Sequence, residues 1–227
     1  MGRTLQLGTL VTRCQQRADR VGDGHIGGDD TTEWQSLVSE AYGEMYMIAA
    51  ESGLLQYVTE ATITADGSAS YALPSDYLST IEVDYVRDSA GRRRPLDEIM
   101  VQERAALLGE TGDATRFCLF GSAIELYARP TTGTYKHLYI PQPADLSTAG
   151  PTTSVDLLNV HGQAFVIWSV KLKALDKSES DVQVSMTQIA RHAEKLAEWC
   201  ALRSFNTPRR AVWAGGGDEG RLPGDWP

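Results

Sequence analysis

The chain has 227 residues, 42% of them hydrophobic, and a formal net charge of −9 at pH 7. That length suffices for one good hydrophobic core or two small ones. The acidic balance argues against a generic nucleic-acid binder, because neutralising phosphates requires a surplus of Lys and Arg. No apolar run is long enough to span a bilayer. Cys14, Cys118 and Cys200 are widely separated and odd in number, which favours a reducing compartment over a disulfide framework.

Two amphipathic helices are predicted in residues 1–55. Apolar residues recur at helical spacing from Thr4 to about Arg20, and again from Trp34 to Gly53. A loop rich in Gly and Asp separates the two stretches. We therefore interpret residues 1–55 as the N-terminal helix pair of a bundle.

A β-rich insertion with one short helix is predicted over residues 56–141. Pro74 should end a strand that begins at Tyr71, because proline fixes its own φ and biases the preceding residue toward extended geometry. Asp66-Gly67 is typical of a hairpin turn. The short helix is expected from Leu96 to Leu108. Further strands are predicted at 81–86, 117–120, 124–127 and 135–140.

Two long helices are predicted within residues 142–207, where they would complete the bundle. The first, over residues 155–177, is apolar almost all round at its middle, so we expect Trp168 to be buried in the bundle or at a subunit contact. The second, over residues 180–205, has apolar steps of four and three, as in a coiled-coil seam. Together the elements predict an α+β fold: a helical bundle of about four main helices, an inserted small antiparallel β module and an extended C-terminal tail.

Catalytic and metal-binding motifs are weak or missing. Gly22, Gly24 and Gly27 satisfy G-x-G-x-x-G, but a helix precedes them where a dinucleotide site needs a strand. The acidic segment from Asp23 to Asp30 lacks the EF-hand spacing, and no two histidines stand at zinc-ligand spacing. No nucleophile-elbow or Walker A motif occurs. We therefore predict no enzyme, no cofactor and no metal, with a metal-dependent hydrolase using the acidic segment as the remaining alternative.

Three consecutive arginines form the first candidate contact surface. Arg92, Arg93 and Arg94 follow a turn at residues 88–91, so several guanidinium groups should project from a sheet edge or a loop tip. Such groups suit carboxylate or phosphate recognition. The alternative is a solvated charged edge that discourages strand addition.

The segment 208–227 is the second candidate contact surface, which we interpret as a flexible docking tail. It is rich in Gly, so it cannot fold alone. Buried aromatic and arginine side chains are the usual anchors at protein interfaces, which favours partner docking over a merely disordered tail. Its candidate partner-binding residues are Arg209, Arg210, Trp213 and Trp226.

An ordered set of motifs covers about residues 4–207. Its parts are Leu7, Leu10 and Val11, then Trp34, Ala41 and Met45, then Tyr71-x-Leu73-Pro74-x-Asp76-Tyr77-Leu78, Arg94-Pro95-Leu96, Phe117-x-x-Phe120-Gly121-x-x-Ile124-x-Leu126, Pro130, Tyr135 to Tyr139, and two long helices. This order resembles that of the head-to-tail connector (adaptor) proteins of tailed bacteriophages.

The resemblance implies a structural virion protein rather than an enzyme. It implies a homo-oligomeric ring, usually a dodecamer, that lies between the portal protein and the tail or nozzle proteins and extends the DNA channel. It also implies a C-terminal tail that reaches the portal, passage of DNA without specific binding, and no membrane. The location implied is the neck at the portal vertex of the virion, with assembly in the host cytoplasm. Another neck or tail-completion protein of the virion is the alternative.

Overall fold

Four α-helices occur in the part of the chain that the structure describes. The computed structural model describes residues 4–18, 31–53, 55–107, 109, 112–176 and 183–205. The helices are α1 (Leu7–Ala18), α2 (Thr31–Glu51), α3 (Val160–Asp176) and α4 (Gln183–Phe205), and there are two 3-10 helices, Leu55–Tyr57 and Glu103–Leu107.

Ten strands in the same residues form three sheets. Their bounds are β1 (Thr4–Gln6), β2 (Thr59–Thr64), β3 (Tyr71–Ala72), β4 (Tyr77–Val86), β5 (Arg93–Pro95), β6 (Asp97–Glu98), β7 (Arg116–Phe120), β8 (Ala123–Tyr127), β9 (Thr134–Pro141) and β10 (Ser154–Asp156). A two-stranded sheet pairs β1 with β10, and the two four-stranded sheets have the orders β2-β9-β4-β5 and β3-β8-β7-β6.

The predicted helical bundle with a small β module is therefore wrong. The fold is α+β, but it is rich in sheet, and the two four-stranded sheets pack around a core of their own. The prediction failed because several strands have only two or three residues, too few to show the alternation on which strand prediction rests. Two of them, β1 and β10, occupy positions that the sequence pattern assigned to the ends of helices.

Helix α3 lies at the centre of the larger core and packs against α1, α2 and α4. It begins at Val160 because the Asn159 side chain accepts hydrogen bonds from the His161 and Gly162 backbone N–H groups, at 2.8 and 2.9 Å, as a helix N-cap does. Upstream, Val155 is held in β10 opposite Leu5. The predicted helix start at residue 155 is therefore wrong by five residues.

The buried face of α3 differs from the predicted one. Its buried apolar side chains are Phe165, Val166, Val170 and Ala174, whereas Trp168 is only partly buried. A helix that is apolar almost all round gives no periodic signal to choose its inner face. On α4 the predicted seam holds at Leu196 and Cys200, which are buried, but Met186 on the same seam is exposed.

The second core lies between the two four-stranded sheets. Ile63, Val83 and Tyr135 enter it from the first sheet, and Phe117, Ile124 and Leu126 enter it from the second. The inward side chains alternate along the strands, so each sheet buries one face. The long strands at 81–86, 117–120, 124–127 and 135–140 are confirmed as parts of β4, β7, β8 and β9.

Two local predictions in the β region are wrong. Strand β2 does not form a hairpin through Asp66-Gly67 with β3; it pairs with β9, and the Gly67 N–H donates to Pro130 O at 3.0 Å. The segment from Leu96 to Leu108 contains strand β6 and a single 3-10 turn instead of an α-helix. In both places a distant strand competes successfully with the local preference of the segment.

Candidate assembly surfaces

The three consecutive arginines lie on the hairpin between β4 and β5. The turn closes through the Gly91 N–H, which donates to Asp88 O at 3.0 Å, and Gly91 adopts a φ of 75°, which favours glycine. Strand β5 pairs with β4 in register, with Arg93 opposite Val86 and Arg94 opposite Tyr85. Strand β5 is thus an edge strand of the first sheet, and the sheet edge is one of the two positions that the turn at residues 88–91 led us to expect.

Arg93 belongs to a chain of charges across the first sheet. Its guanidinium lies 2.7 Å from a Glu60 carboxylate oxygen and 3.8 Å from Asp84 Oδ2. Lys136 Nζ contacts the other Glu60 oxygen at 2.9 Å. The hydrogen bond from Lys136, more than that from Arg93, lowers the pKa of Glu60. These residues come from β5, β4, β9 and β2, so Arg93 ties the edge strand to the rest of its sheet.

Arg94 connects the hairpin to the second sheet. Its Nη2 donates a hydrogen bond to Ala114 O at 2.8 Å, and its guanidinium lies 5.5 Å from the centre of the Tyr85 ring. Ala114 is fully buried just before β7. The side chain therefore fixes the approach of the segment that leads into the second sheet.

Arg92 is the most exposed of the three, with 80% of its side chain accessible, and its only ion pair in the described residues is to Asp88 at 3.3 Å. The sheet edge therefore does not bring the three guanidinium groups onto one site. Arg92 is exposed to solvent, while Arg93 and Arg94 are engaged within the subunit. The partner-binding role of these residues stays a prediction, and Arg209, Arg210, Trp213 and Trp226 lie outside the described residues.

An apolar patch, absent from the sequence predictions, lies beside the second sheet. We call Met100, Val101 and Phe120 the tip patch; they are 71%, 41% and 50% exposed. Leu119 lines the same depression as Met100 and Val101, and the Arg104 guanidinium covers the Phe120 ring at 4.4 Å from its centre. The sequence missed this patch because residues 96–108 were expected to form a short helix, whereas Met100 and Val101 lie between strand β6 and a 3-10 helix.

A basic groove lies between α1 and α3. It has a volume of about 380 Å³ and is lined by Arg13, Gln16, Arg17, Ala164, Ile167 and Trp168. The Arg17 guanidinium lies 4.1 Å from the centre of the Trp168 ring, and Lys171 Nζ lies 5.2 Å from it. Cations favour the face of an indole ring. The i, i+4 spacing of Arg13 and Arg17 was a usable signal, but only the fold shows which helix they face.

Two histidines that are distant in sequence lie close together in the fold, and a third is buried in the first sheet. His161 and His192 approach with their Nδ1 atoms 3.5 Å apart, and burial lowers the pKa of His192. His137 is buried in the first sheet, where its Nε2 lies 2.9 Å from Thr80 Oγ1 and burial lowers its pKa. Among the described residues, no three His, Cys, Asp or Glu side chains cluster closely enough to hold a metal ion. The acidic segment from Asp23 to Asp30 lies outside those residues.

None of the helices in the described part of the chain combines the length and the apolar character needed to cross a membrane.

A search of curated proteins gave no match. The family model described as SU10 adaptor protein matches residues 5–215, nearly the whole chain. The match confirms the resemblance to phage adaptors drawn from the ordered motifs. The chain belongs to the SU10 adaptor protein family and is accordingly a structural adaptor component of a bacteriophage virion.

Proposed function

We propose that the chain forms a closed homo-oligomeric ring, a dodecamer, between the portal and the tail of the phage particle, where it extends the DNA channel. The observation that carries the proposal is the tip patch. Met100 and Phe120 expose half or more of their surface in a subunit whose two cores are filled. Clustered exposed apolar side chains on a soluble protein mark sites of protein contact. An adaptor subunit has such contacts to make with its neighbours.

Each part of the chain has a place in this proposal. Residues 1–55 and 142–207 supply the α-helices and the small β1–β10 sheet, residues 56–141 carry the two four-stranded sheets with the tip patch and Arg92, and residues 208–227 dock on the portal. Tail or nozzle proteins bind the opposite side of the ring. Rings require two different complementary faces on each subunit, and both charged and apolar surfaces are present for them.

The charge of the chain suits a channel wall. A net charge of −9 per subunit repels the phosphates of DNA and gives no counterion-release gain for binding. The DNA therefore passes through without specific binding. The site of action is the neck of the virion.

The test is assembly on purified portal particles, followed by native mass spectrometry and negative-stain imaging. We expect a ring of fixed copy number on the portal, weakened in Phe120→Ser and unaffected in Val184→Ser, since Val184 is also an exposed apolar residue, but lies on α4. Deletion of residues 208–227 should leave the melting temperature nearly unchanged and abolish portal binding. A chain that binds tail proteins and ignores the portal would instead identify another neck protein.

A further inference from the structure

We propose that the basic groove between α1 and α3 binds the acidic face of α2 from a neighbouring copy of the chain. This inference rests on the proposed ring and identifies one of its subunit contacts. Two of the groove's lining residues, Arg13 and Arg17, are cations, and a third cation, Lys171, lies over the ring of the lining residue Trp168. The acidic face is defined by Glu40, Glu44, Met47 and Glu51.

The groove is a concentration of positive charge in an acidic chain. Among the described residues, none of its three cations is within ion-pair distance of a carboxylate. Arg17 and Lys171 instead lie over the Trp168 ring, at 4.1 and 5.2 Å from its centre. Trp168 is itself only partly buried. The groove therefore combines a large aromatic ring with cations that have no acidic partner in this part of the subunit. Such a surface is complementary to an acidic surface that also has an apolar side chain.

Helix α2 offers such a surface. Positions 40, 44, 47 and 51 follow the i, i+4, i+7, i+11 spacing that places residues on one helix face. All four side chains are exposed, and Met47 supplies the apolar group among three carboxylates. Lys173 contacts both Glu40 and Glu44, at 3.1 and 3.0 Å, so one ammonium stands against three carboxylates and the face stays negative.

The two surfaces cannot meet within one subunit. Lys173 points from α3 toward α2, whereas Lys171, two residues earlier on the same helix, lies on the side facing α1. Residues two apart on a helix lie on nearly opposite sides. The groove and the acidic face therefore lie on different sides of α3, as a head-to-tail contact that closes into a ring requires.

The two surfaces are chemically complementary, and the acidic face is long enough to cover the groove. Glu40 to Glu51 spans about 16 Å along α2, and Ala164 to Lys171 spans about 10 Å along α3. Carboxylates can pair with Arg13, Arg17 and Lys171, while the Met47 thioether can contact the Trp168 ring, a favourable sulfur–aromatic pairing. These ion pairs would be shielded from water in the contact. Reversing one charge of a pair should therefore weaken the contact strongly.

Charge reversal and its reciprocal rescue test the contact. Arg17→Glu and Glu44→Arg should each reduce ring formation on portal particles by about tenfold or more, since like charges across an interface cost several kcal/mol. The double variant should recover at least part of the loss. Lys195→Glu is the control, because Lys195 is an exposed cation on α4, outside both surfaces. Circular dichroism and melting temperature verify that each variant is folded.

Each outcome decides the matter. Rings of Arg17→Glu at wild-type yield would overturn the contact and leave the proposed ring intact. Loss of rings in both single variants without recovery in the double variant would show that a different acidic surface occupies the groove. A drop in the melting temperature of Arg17→Glu with normal assembly would place the acidic partner within the same chain. Wild-type protein that remains monomeric on portal particles would refute the ring itself, and the contact with it.

Discussion

Gly162, in the first turn of α3, occupies a site with no room for a side chain. A Cβ added there would collide with Leu157 O and would lie 3.0 Å from Met45 Sδ on α2. Leu157 O is held by a hydrogen bond from the Asn159 N–H at 2.6 Å, and the Leu157 side chain is fully buried. The oxygen cannot retreat without disturbing the N-terminal turn of the helix around which the larger core is built.

Gly162→Ala should therefore gain a little stability from helix propensity and lose more from the steric clash. Alanine favours a helix over glycine by about 1 kcal/mol. An extra methyl group in a filled core costs about 1–3 kcal/mol, and more where it meets backbone. Gly43 is the matched control: it lies within α2, and a Cβ added there meets nothing within 4 Å. Gly43→Ala should therefore keep the whole helix-propensity gain.

Urea unfolding followed by circular dichroism measures both variants. We expect Gly43→Ala to raise the free energy of unfolding by about 1 kcal/mol. We expect Gly162→Ala to fall below Gly43→Ala by about 1–3 kcal/mol, or several degrees in melting temperature for a chain of this size. Equal stabilisation by the two substitutions would refute the close approach of α3 to Leu157 O and Met45.

Three other predictions address side chains with contrasting environments. Trp168→Ala should lower the free energy of unfolding by only about 1–2 kcal/mol, because the ring is partly exposed; a loss above about 3 kcal/mol in urea unfolding would place it in the core. Arg94→Ala should lower the free energy of unfolding by about 1.5–3 kcal/mol, because it removes the charged donor that binds Ala114 O. Arg92→Ala should lower it by less than about 0.5 kcal/mol. Equal urea midpoints for the two variants would contradict this difference. Burial lowers the pKa of His192 and of His137 below the ordinary histidine value of about 6.5, so the unfolded chain binds more protons just below that pH and stability should fall as the pH drops from about 6.5. His192→Gln should flatten this dependence in melting curves, and an unchanged slope would exclude His192 as a source.

The sequence was most informative where one face of an element repeats over many residues. Helix α1 was predicted because Leu7, Leu10, Val11 and Cys14 all face the core, and they are all buried. The strand at 81–86 followed from alternation, and the turn after it from a segment that contains Gly91. Each pattern depends only on neighbouring residues, so it can be recognised without knowing how the rest of the chain folds.

The rest depended on contacts between distant segments. Strands β1 and β10 have three residues each and form because Leu5 pairs with Val155, which is distant in the sequence. Arg93 was expected to project as a cation. In the fold its guanidinium lies 2.7 Å from Glu60, which is on the opposite edge strand of the same sheet. Neither partner can be inferred from spacing. The groove proposed for assembly was missed for the same reason, since its lining comes from both α1 and α3.

Helix α3 separates stability from assembly by the face on which a residue lies. Gly162, Phe165 and Val170 face inward, so substitutions there act on the free energy of unfolding. Trp168 and Lys171 face the groove, so substitutions there should lower the melting temperature less than substitutions at the inward-facing residues and should act chiefly on subunit contact. Because the same rigid helix bears both faces, the packing that stabilises the subunit also fixes the position of the groove cations. Gly162→Ala, which disturbs the packing of α3, should therefore assemble poorly even though every residue of the proposed contact is intact.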